Sequence, residues 1–271
     1  MSIFNVSGAN GTFNAQVLLG EPTLAPALAA TVIYVGLLGV YIARTINRVC
    51  SPNFTCLIFC LIRIGAFGLR AAIVHYSGVA TSVGAYTAEQ VLYLAGFIYI
   101  LMTAWHLFFH WCQHHVSAYV PSFFTIPRLP TISHVILALA SGASILGTIQ
   151  MSDANGDINT FNKGHITAHI GSYIYFGAAT LFFLVTLPCT LAVRDGSARR
   201  HGWTLVLVAA LATLRTTYSL ITFGDIQTEW KFYALSAAPE VLVLAALALP
   251  GAVDGCLQPL VKPRPEELEF A

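Results

Sequence analysis

Five ionisable residues interrupt long apolar stretches of this sequence, and their types and spacing could do chemistry. They are Arg63, Arg70, Glu89, Arg215 and Glu240. An ionisable group inside a bilayer costs at least about 2.5–3.5 kcal/mol unless it is paired or faces water. We therefore predict that these residues meet at an interior polar site, where a carboxylic acid could act as a general acid or contact a ligand.

The spacing and depth of these residues suggest separate roles within one cavity. Arg63 and Arg70 lie seven residues apart, which places both on one helix face, two turns from each other. The predicted catalytic residues are Glu240, Arg215, Glu89 and Asp225. The predicted substrate-binding residues are Arg63, Arg70, Tyr218 and Tyr233.

The same charges have a purely structural interpretation, in which an Arg–Glu pair locks the helices of the second, sixth and seventh spans together. Desolvation offsets much of the attraction in a buried ion pair, so such a pair is weak support for any function. Low dielectric favours a neutral carboxyl group and a neighbouring arginine favours the carboxylate. The sequence therefore leaves the protonation state of Glu240 open.

The elements that must position these residues are seven apolar stretches. They are predicted at 26–46, 54–74, 87–109, 131–150, 167–193, 203–223 and 231–252. Hydrophobic residues make up 56% of the chain, charged residues only 9%, and the mean hydropathy is +0.72. Crossing a hydrocarbon core takes about 20 apolar residues, and backbone groups in lipid must be bonded internally. We predict an all-α, seven-helix integral membrane bundle over residues 26–253.

Nearly all basic residues at the span ends and in the loops lie on one side, and this bias predicts the orientation. Lys163 and Lys231 lie on the opposite side, whereas the residues that share one side are Arg44, Arg48, Arg128, Arg194, Arg199, Arg200, Lys262 and Arg264. The positive-inside rule makes that side cytosolic. The tail at 1–25 is then luminal, and the tail at 254–271, rich in Pro and Glu and expected to be disordered, is cytosolic. Asn5 and Asn10 begin glycosylation sequons in the luminal tail. We expect a multi-pass protein of the endoplasmic reticulum.

Charge and motif content exclude several classes of partner and cofactor. The net charge of +1 argues against nucleic acid, and there is no phosphate-binding glycine loop. His106, His110 and His114 share one helix face, and His165 and His169 repeat that spacing. The two groups belong at opposite ends of the bilayer, too far apart for one metal centre. We predict neither a metal nor any other cofactor.

Three short segments carry a resemblance to a group of small fungal seven-span proteins. They are Cys60–Gly65 around Arg63, Leu214–Leu220 around Arg215 and Tyr218, and Pro239-Glu240 leading to Leu249-Pro250-Gly251. Some proteins of this general kind are membrane-bound terpene cyclases of meroterpenoid pathways, including the ascofuranone type. The fungal lipid-translocating exporter family is also similar in span number and in its Arg-x-x-Tyr element. The resemblance assigns no role to the matching residues.

The resemblance implies an enzyme that cyclises an epoxidised prenyl chain by acid initiation. Its partners would be this apolar substrate, membrane lipids and pathway enzymes in the same membrane. Aromatic side chains would shield the cations. Candidates for this lining are Tyr93, Tyr99, Tyr173, Tyr175, Phe176, Tyr218, Phe223, Trp230 and Tyr233. The main alternative is a lipid or small-molecule transporter or efflux protein. A seven-span receptor or structural protein is a third interpretation, weakened by short loops.

Overall fold

The structure, a computed structural model, confirms the all-helical architecture with seven long apolar helices. It describes residues 13–20, 22–47, 50–115, 129–154, 157–223 and 228–257. Asn5, Asn10 and Asp225 lie outside these ranges. The described helices are α1 (Ala15–Leu18), α2 (Leu24–Asn47), α3 (Ser51–His75), α4 (Ser77–Ala80), α5 (Val83–His115), α6 (Leu129–Ser152), α7 (Ile158–Ala192), α8 (Gly196–Ile221), α9 (Glu229–Leu247) and α10 (Ala252–Leu257). Helices α2, α3 and α5–α9 are long and apolar enough to cross a membrane.

Helix α7 begins nine residues earlier than the span predicted from hydropathy. Asp157 caps its first turn by accepting hydrogen bonds from the Asn159 backbone N–H at 3.0 Å and the Thr160 hydroxyl at 2.6 Å. Chiefly through the Thr160 bond, these contacts hold the pKa of the Asp157 carboxyl below its usual value. An Asp at this position is a recognised helix start. Hydropathy missed the start because the first turns of α7 are polar.

Helix α9 ends earlier than predicted, at Leu247 rather than residue 252. Gly251 follows in the left-handed region with φ of 79°, which glycine adopts without steric cost. The short helix α10 then begins at Ala252. The tail at 254–271 was expected to be disordered, but its first residues, 254–257, are helical.

Helices α2 and α9 both begin at one end of the bundle, which we call the amino-terminal face. The backbone N–H of Thr23 donates to Glu229 Oε1 at 2.8 Å. At the same face, Thr87 near the start of α5 bonds Ser152 at the end of α6, with 2.7 Å between their hydroxyl oxygens. Helices α5 and α6 therefore run in opposite directions, whereas α2 and α9, the first and last of the seven long helices, begin at the same face.

The short helix α1 packs against the amino-terminal face. The Gln16 side-chain amide donates to the backbone carbonyls of Ile73 and Val74, both at 3.0 Å. Carbonyl groups in the last turn of a helix lack partners inside the helix, so Gln16 acts as a cap for α3. Ala15 and Leu19 are buried in the same small cluster. A segment predicted as a tail thus covers part of this face.

The outer surface of the long helices is apolar. Val32 and Ile46 on α2 are 70% and 78% exposed, and Leu139 on α6 is 66% exposed. In a soluble protein, a large exposed apolar surface usually marks an interaction site. Here the exposed apolar side chains lie on helices that are long enough to span a membrane. Contact with membrane lipid follows for these surfaces.

Helices α6 and α7 pack closely along a row of glycines. A Cβ atom at Gly147 would overlap the backbone nitrogen of Ala168 and lie 2.5 Å from the carbonyl oxygen of Gly164. A Cβ at Gly171 would lie 2.5 Å from the carbonyl oxygen of Ala140. Small residues allow such close backbone approach between membrane helices.

We expect the substitution Gly147→Ala to destabilise the protein by about 1–3 kcal/mol, because a methyl group there meets fixed backbone and the two helices must separate. The matched control is Gly142→Ala on the same helix, where a Cβ would find no atom within 4 Å. Thermal unfolding of the detergent-purified proteins measures both effects. Equal unfolding midpoints for the two variants would contradict the close packing.

Candidate functional site

A buried carboxylate joins two arginines at the centre of the bundle. Glu240 Oε1 accepts from Arg63 Nη2 at 2.6 Å and from Arg215 Nε at 3.0 Å. The second oxygen, Oε2, accepts from the Tyr34 hydroxyl at 3.4 Å. All four side chains are almost completely buried. They come from α2, α3, α8 and α9, so residues more than 200 positions apart meet at one carboxylate.

A change in helix geometry brings Glu240 into this position. Residues Tyr233–Ala237 form a π-helical turn, in which the Ala238 N–H bonds the carbonyl of Tyr233 five residues back. Pro239 follows and has no N–H to donate, so the regular pattern could not continue through it. Single π turns of this kind are frequent at functional sites. Ser236 and Glu240 both face the interior after this turn, each about 1% exposed.

The guanidinium of Arg63 is held by backbone and aromatic contacts as well as by Glu240. Its Nη1 donates to the carbonyl of Tyr93 at 2.8 Å, and its Cζ lies 4.1 Å from the Tyr93 ring centroid. A Cβ at Gly96 would lie 3.1 Å from Arg63 Cζ, so glycine leaves the room that the guanidinium occupies. Arg215 lies over Phe97, with 4.1 Å from its Cζ to the ring centroid. Both cations therefore rest on aromatic faces of α5.

A second ion pair lies nearer the amino-terminal face. Arg70 Nε lies 3.3 Å from Glu89 Oε1, and both side chains are 2% exposed. The Gln90 side-chain amide donates to Glu89 Oε2 at 2.6 Å. Seven residues of α3 separate Arg63 from Arg70, about 10 Å along the helix axis. The five charges predicted to surround one cavity thus form two separate groups.

A column of aromatic rings connects the two groups. Tyr34 stacks on Phe67 with 5.6 Å between ring centroids, and Phe67 stacks on Tyr233 at 6.1 Å. The adjacent Phe232 ring lies 3.8 Å from Arg70 Cζ. Aromatic side chains therefore occupy the interior between Glu240 and Arg70.

The two carboxyl groups differ in their capacity to donate a proton. Both oxygens of Glu89 accept hydrogen bonds or ion-pair contacts from donors. Glu240 Oε1 is likewise occupied by two cationic donors, but Oε2 has only the long contact with Tyr34. A proton on Glu240 would therefore sit on Oε2, the oxygen that faces the aromatic column.

The remaining predicted residues divide between this site and the outer surface. Tyr233 lies beside Arg70, and the buried Tyr218 is within electrostatic range of the same guanidinium. Tyr175 packs on Phe97 with 5.8 Å between ring centroids. The prediction that Tyr173 and Trp230 line the site is wrong, because their side chains are on the outer surface, 58% and 66% exposed. Their aromatic character did not reveal which way the helices are turned.

Sequence reasoning missed Tyr34, Ser236 and the π turn. Ser236 meets the Tyr93 hydroxyl with 2.5 Å between oxygens. A signal for Tyr34 was present in the sequence. Tyr34 and Tyr41 are seven residues apart in α2 and both are fully buried, the same spacing that was used for the two arginines of α3. No comparable signal marks Ser236.

Histidines form ring contacts near the helix ends. The His106 and His110 rings are 4.6 Å apart on α5, and His165 and His169 are 4.9 Å apart on α7, where both pack against Phe223. Within the described ranges, no three His, Cys, Asp or Glu side chains are grouped so that they could hold a metal ion. The histidines thus extend the aromatic packing at the two ends of the bundle.

Seven apolar helices around a buried ionic cluster define a multi-pass integral membrane protein. No known protein family, curated protein or solved structure matches the chain. The similarity to small fungal seven-span proteins therefore remains a prediction from the three short segments, and the function must be argued from the site.

Proposed function

We propose that this protein is a membrane-bound terpene cyclase that acts on an epoxidised prenyl chain attached to an aromatic head. The main support for the proposal is the environment of the two carboxylate oxygens of Glu240. One carboxylate oxygen is bonded by Arg63 and Arg215, and the other faces Tyr34 and the aromatic column. An acid in a dry, aromatic-lined interior is the arrangement that acid-initiated cyclisation requires.

In the proposed reaction, a proton on Glu240 Oε2 moves to the epoxide oxygen as one C–O bond of the ring breaks. The π electrons of a neighbouring alkene then form a C–C bond at the carbon that develops positive charge. The final cation then loses a proton, either directly or after a substrate hydroxyl has added to it, and return of this proton to the Glu240 carboxylate closes the charge balance. Arg63 and Arg215 stabilise the carboxylate that the departing proton leaves behind, because both donate to Oε1.

The aromatic rings would stabilise the cationic intermediates. Tyr93 and Phe97 lie under the arginines, and Tyr34 and Phe67 form the stack beside Glu240. A ring face attracts a cation within about 6 Å of its centroid and cannot trap it as water would. Arg70, Glu89, Tyr218 and Tyr233 are proposed to hold the substrate near the amino-terminal face.

The setting we propose is the endoplasmic reticulum membrane, with the amino-terminal face luminal and the C-terminus cytosolic. Asn5 and Asn10 would then carry glycans. A prenyltransferase and an epoxidase in the same membrane would supply the substrate, since the reaction consumes an epoxidised prenyl-aromatic compound. No cofactor is required by this chemistry.

Microsomes containing the protein, supplied with an epoxidised farnesyl-aromatic compound, test the proposal. The expected product has the mass of the substrate, a different retention time and ring signals by NMR. Microsomes without the protein are the control. Recovery of unchanged substrate from correctly folded protein would overturn the cyclase.

A lipid or small-molecule transporter is the second candidate, favoured by the buried arginines, which could coordinate an anionic head group. It would move its ligand across the membrane of reconstituted vesicles without changing it. The same mass and NMR measurement, combined with vesicle uptake, therefore separates the two functions.

A further inference from the structure

While Glu240 is ionised, before it takes up the proton used in the proposed reaction, the central cluster carries one positive charge more than this carboxylate neutralises. Arg63 and Arg215 share Glu240, whereas Arg70 and Glu89 form a balanced pair. Arginine stays protonated in proteins, so the excess cannot be removed by losing a proton. Among the described residues, the buried charges are these five. An uncompensated charge in a low-dielectric interior is costly, and the cost falls when an anion binds beside it.

Guanidinium groups in this cluster also have donors to spare. Arg63 Nε and Arg215 Nη2 are buried and have no hydrogen-bond partner among the described residues. A buried N–H without an acceptor destabilises the folded protein, because the hydrogen bond that it made with water is lost. The charge count and the unused donors are independent observations, and both indicate a missing acceptor with negative charge.

The neighbouring side chains do not supply that acceptor. Tyr34 and Tyr93 are phenols, which are neutral at physiological pH because their ordinary pKa is near 10. Glu89 is occupied by Arg70 and Gln90. A water molecule could accept these hydrogen bonds but could not balance the charge, so a negatively charged acceptor must come from a bound molecule that reaches the middle of the bundle.

We infer that the central site binds the carboxylate of an apolar molecule, with Arg215 as its main contact. One carboxylate balances the single excess charge, whereas a phosphate monoester would bring close to two. One of the carboxylate oxygens can accept from Arg215 Nη2, the donor of that guanidinium that has no partner among the described residues. The inference builds on the proposed function, because it makes the substrate of the cyclase a prenylated aromatic carboxylic acid. A fatty acid from the membrane carries the same chemistry.

A comparison of acids with their neutral esters tests this inference. The purified protein in nonionic detergent at pH 7.5 is titrated with farnesylated 4-hydroxybenzoic acid and with its methyl ester. Oleic acid and methyl oleate form the second pair, which distinguishes an aromatic head group from a membrane lipid. Ligand binding to the folded state raises the thermal unfolding midpoint. We expect the aromatic acid to bind at least tenfold more tightly than its ester, and more tightly than oleic acid.

Variants at Arg215 show whether the preference arises at this cluster. Arg215→Gln should reduce the preference for acid over ester to less than twofold, because the cluster is then neutral. Arg215→Lys should retain it, since the charge remains. Arg199→Gln is the matched control: Arg199 lies on the same helix, is exposed, and its loss should leave the preference unchanged.

Equal binding of acid and ester by the wild-type protein would overturn the inference, even if Arg215→Gln failed to fold. Tighter binding of oleic acid than of the aromatic acid would overturn the aromatic substrate. Failure of the cyclase gives a different result. A protein that prefers the acid but never converts an epoxide refutes only the proposed reaction. One that cyclises acid and ester substrates at equal rates refutes only the carboxylate site.

Discussion

Replacing Glu240 by glutamine is expected to lower the rate of cyclisation by about 10²–10⁴-fold, the usual contribution of a general acid. Glutamine has nearly the shape of glutamate and can accept a hydrogen bond from Arg63 or Arg215, but it has no acidic proton to give to the epoxide. The measurement is product formed per amount of folded protein in microsomes. Glu229→Gln on the same helix is the control, because Glu229 contacts Thr23 at the amino-terminal face.

The stability of the Glu240→Gln protein must be measured with its activity. Loss of the carboxylate leaves Arg63 and Arg215 without a counter-charge, so part of any lost activity could reflect unfolding. Glu240→Asp separates the two effects, because it keeps the charge but withdraws the carboxylate by one methylene group. A displacement of about 1 Å can lower a rate roughly 100-fold. Activity close to wild type in well-folded Glu240→Gln protein would exclude Glu240 as the acid.

Replacing Arg70 by methionine is expected to lower the free energy of unfolding by about 3–5 kcal/mol, the usual cost of leaving a buried ion without its partner. Glu89 would keep the bond from Gln90 but would lose the cation with which it forms its ion pair. Unfolding of the purified protein in mixed micelles of detergent and dodecyl sulfate measures the change.

The double variant Arg70→Met/Glu89→Gln is the matched control for this prediction. It removes both charges, and replacing a buried ion pair by neutral groups is often close to neutral for stability. We expect it to regain much of the lost stability. Arg215→Met should also cost less than Arg70→Met, because Glu240 keeps its bond to Arg63. If both single variants lost the same stability, the excess of positive charge assigned to the central cluster would be wrong.

The spacing of charges on single helices and an Arg–Glu pair joining the second, sixth and seventh spans were predicted correctly from the sequence, whereas the pair between Arg70 and Glu89 was not. Arg63 and Arg70 were expected on one face of α3, and both point inward. Glu89 was expected to share a cavity with Glu240, yet it pairs with Arg70 instead. The reason is geometric: a periodic pattern fixes the face of one helix but carries no information on the rotation and height of its neighbour.

The ends of the helices, like the charges, were predicted only in part from the sequence. Hydropathy located the middle of each of the seven helices but placed the start of α7 at residue 167, beyond the polar turns that Asp157 caps. Local side-chain bonding, which Asp157 and Asp195 both provide, sets these ends, and it was readable as a capping signal. The π turn before Pro239 depends on packing around α9 and had no such signal.

The sequence by itself determined an all-α bundle of seven membrane-length helices, because backbone N–H and C=O groups in lipid must be hydrogen-bonded within the chain. It also determined the burial of five charged side chains, because a charge that faces lipid is costly. Only the tertiary structure decided that Glu240 joins two arginines and Tyr34 while Glu89 joins one arginine. Residues 177 positions apart meet in the Arg63–Glu240 bond. Such a contact depends on how five helices are turned toward one another, which no local pattern in the chain specifies.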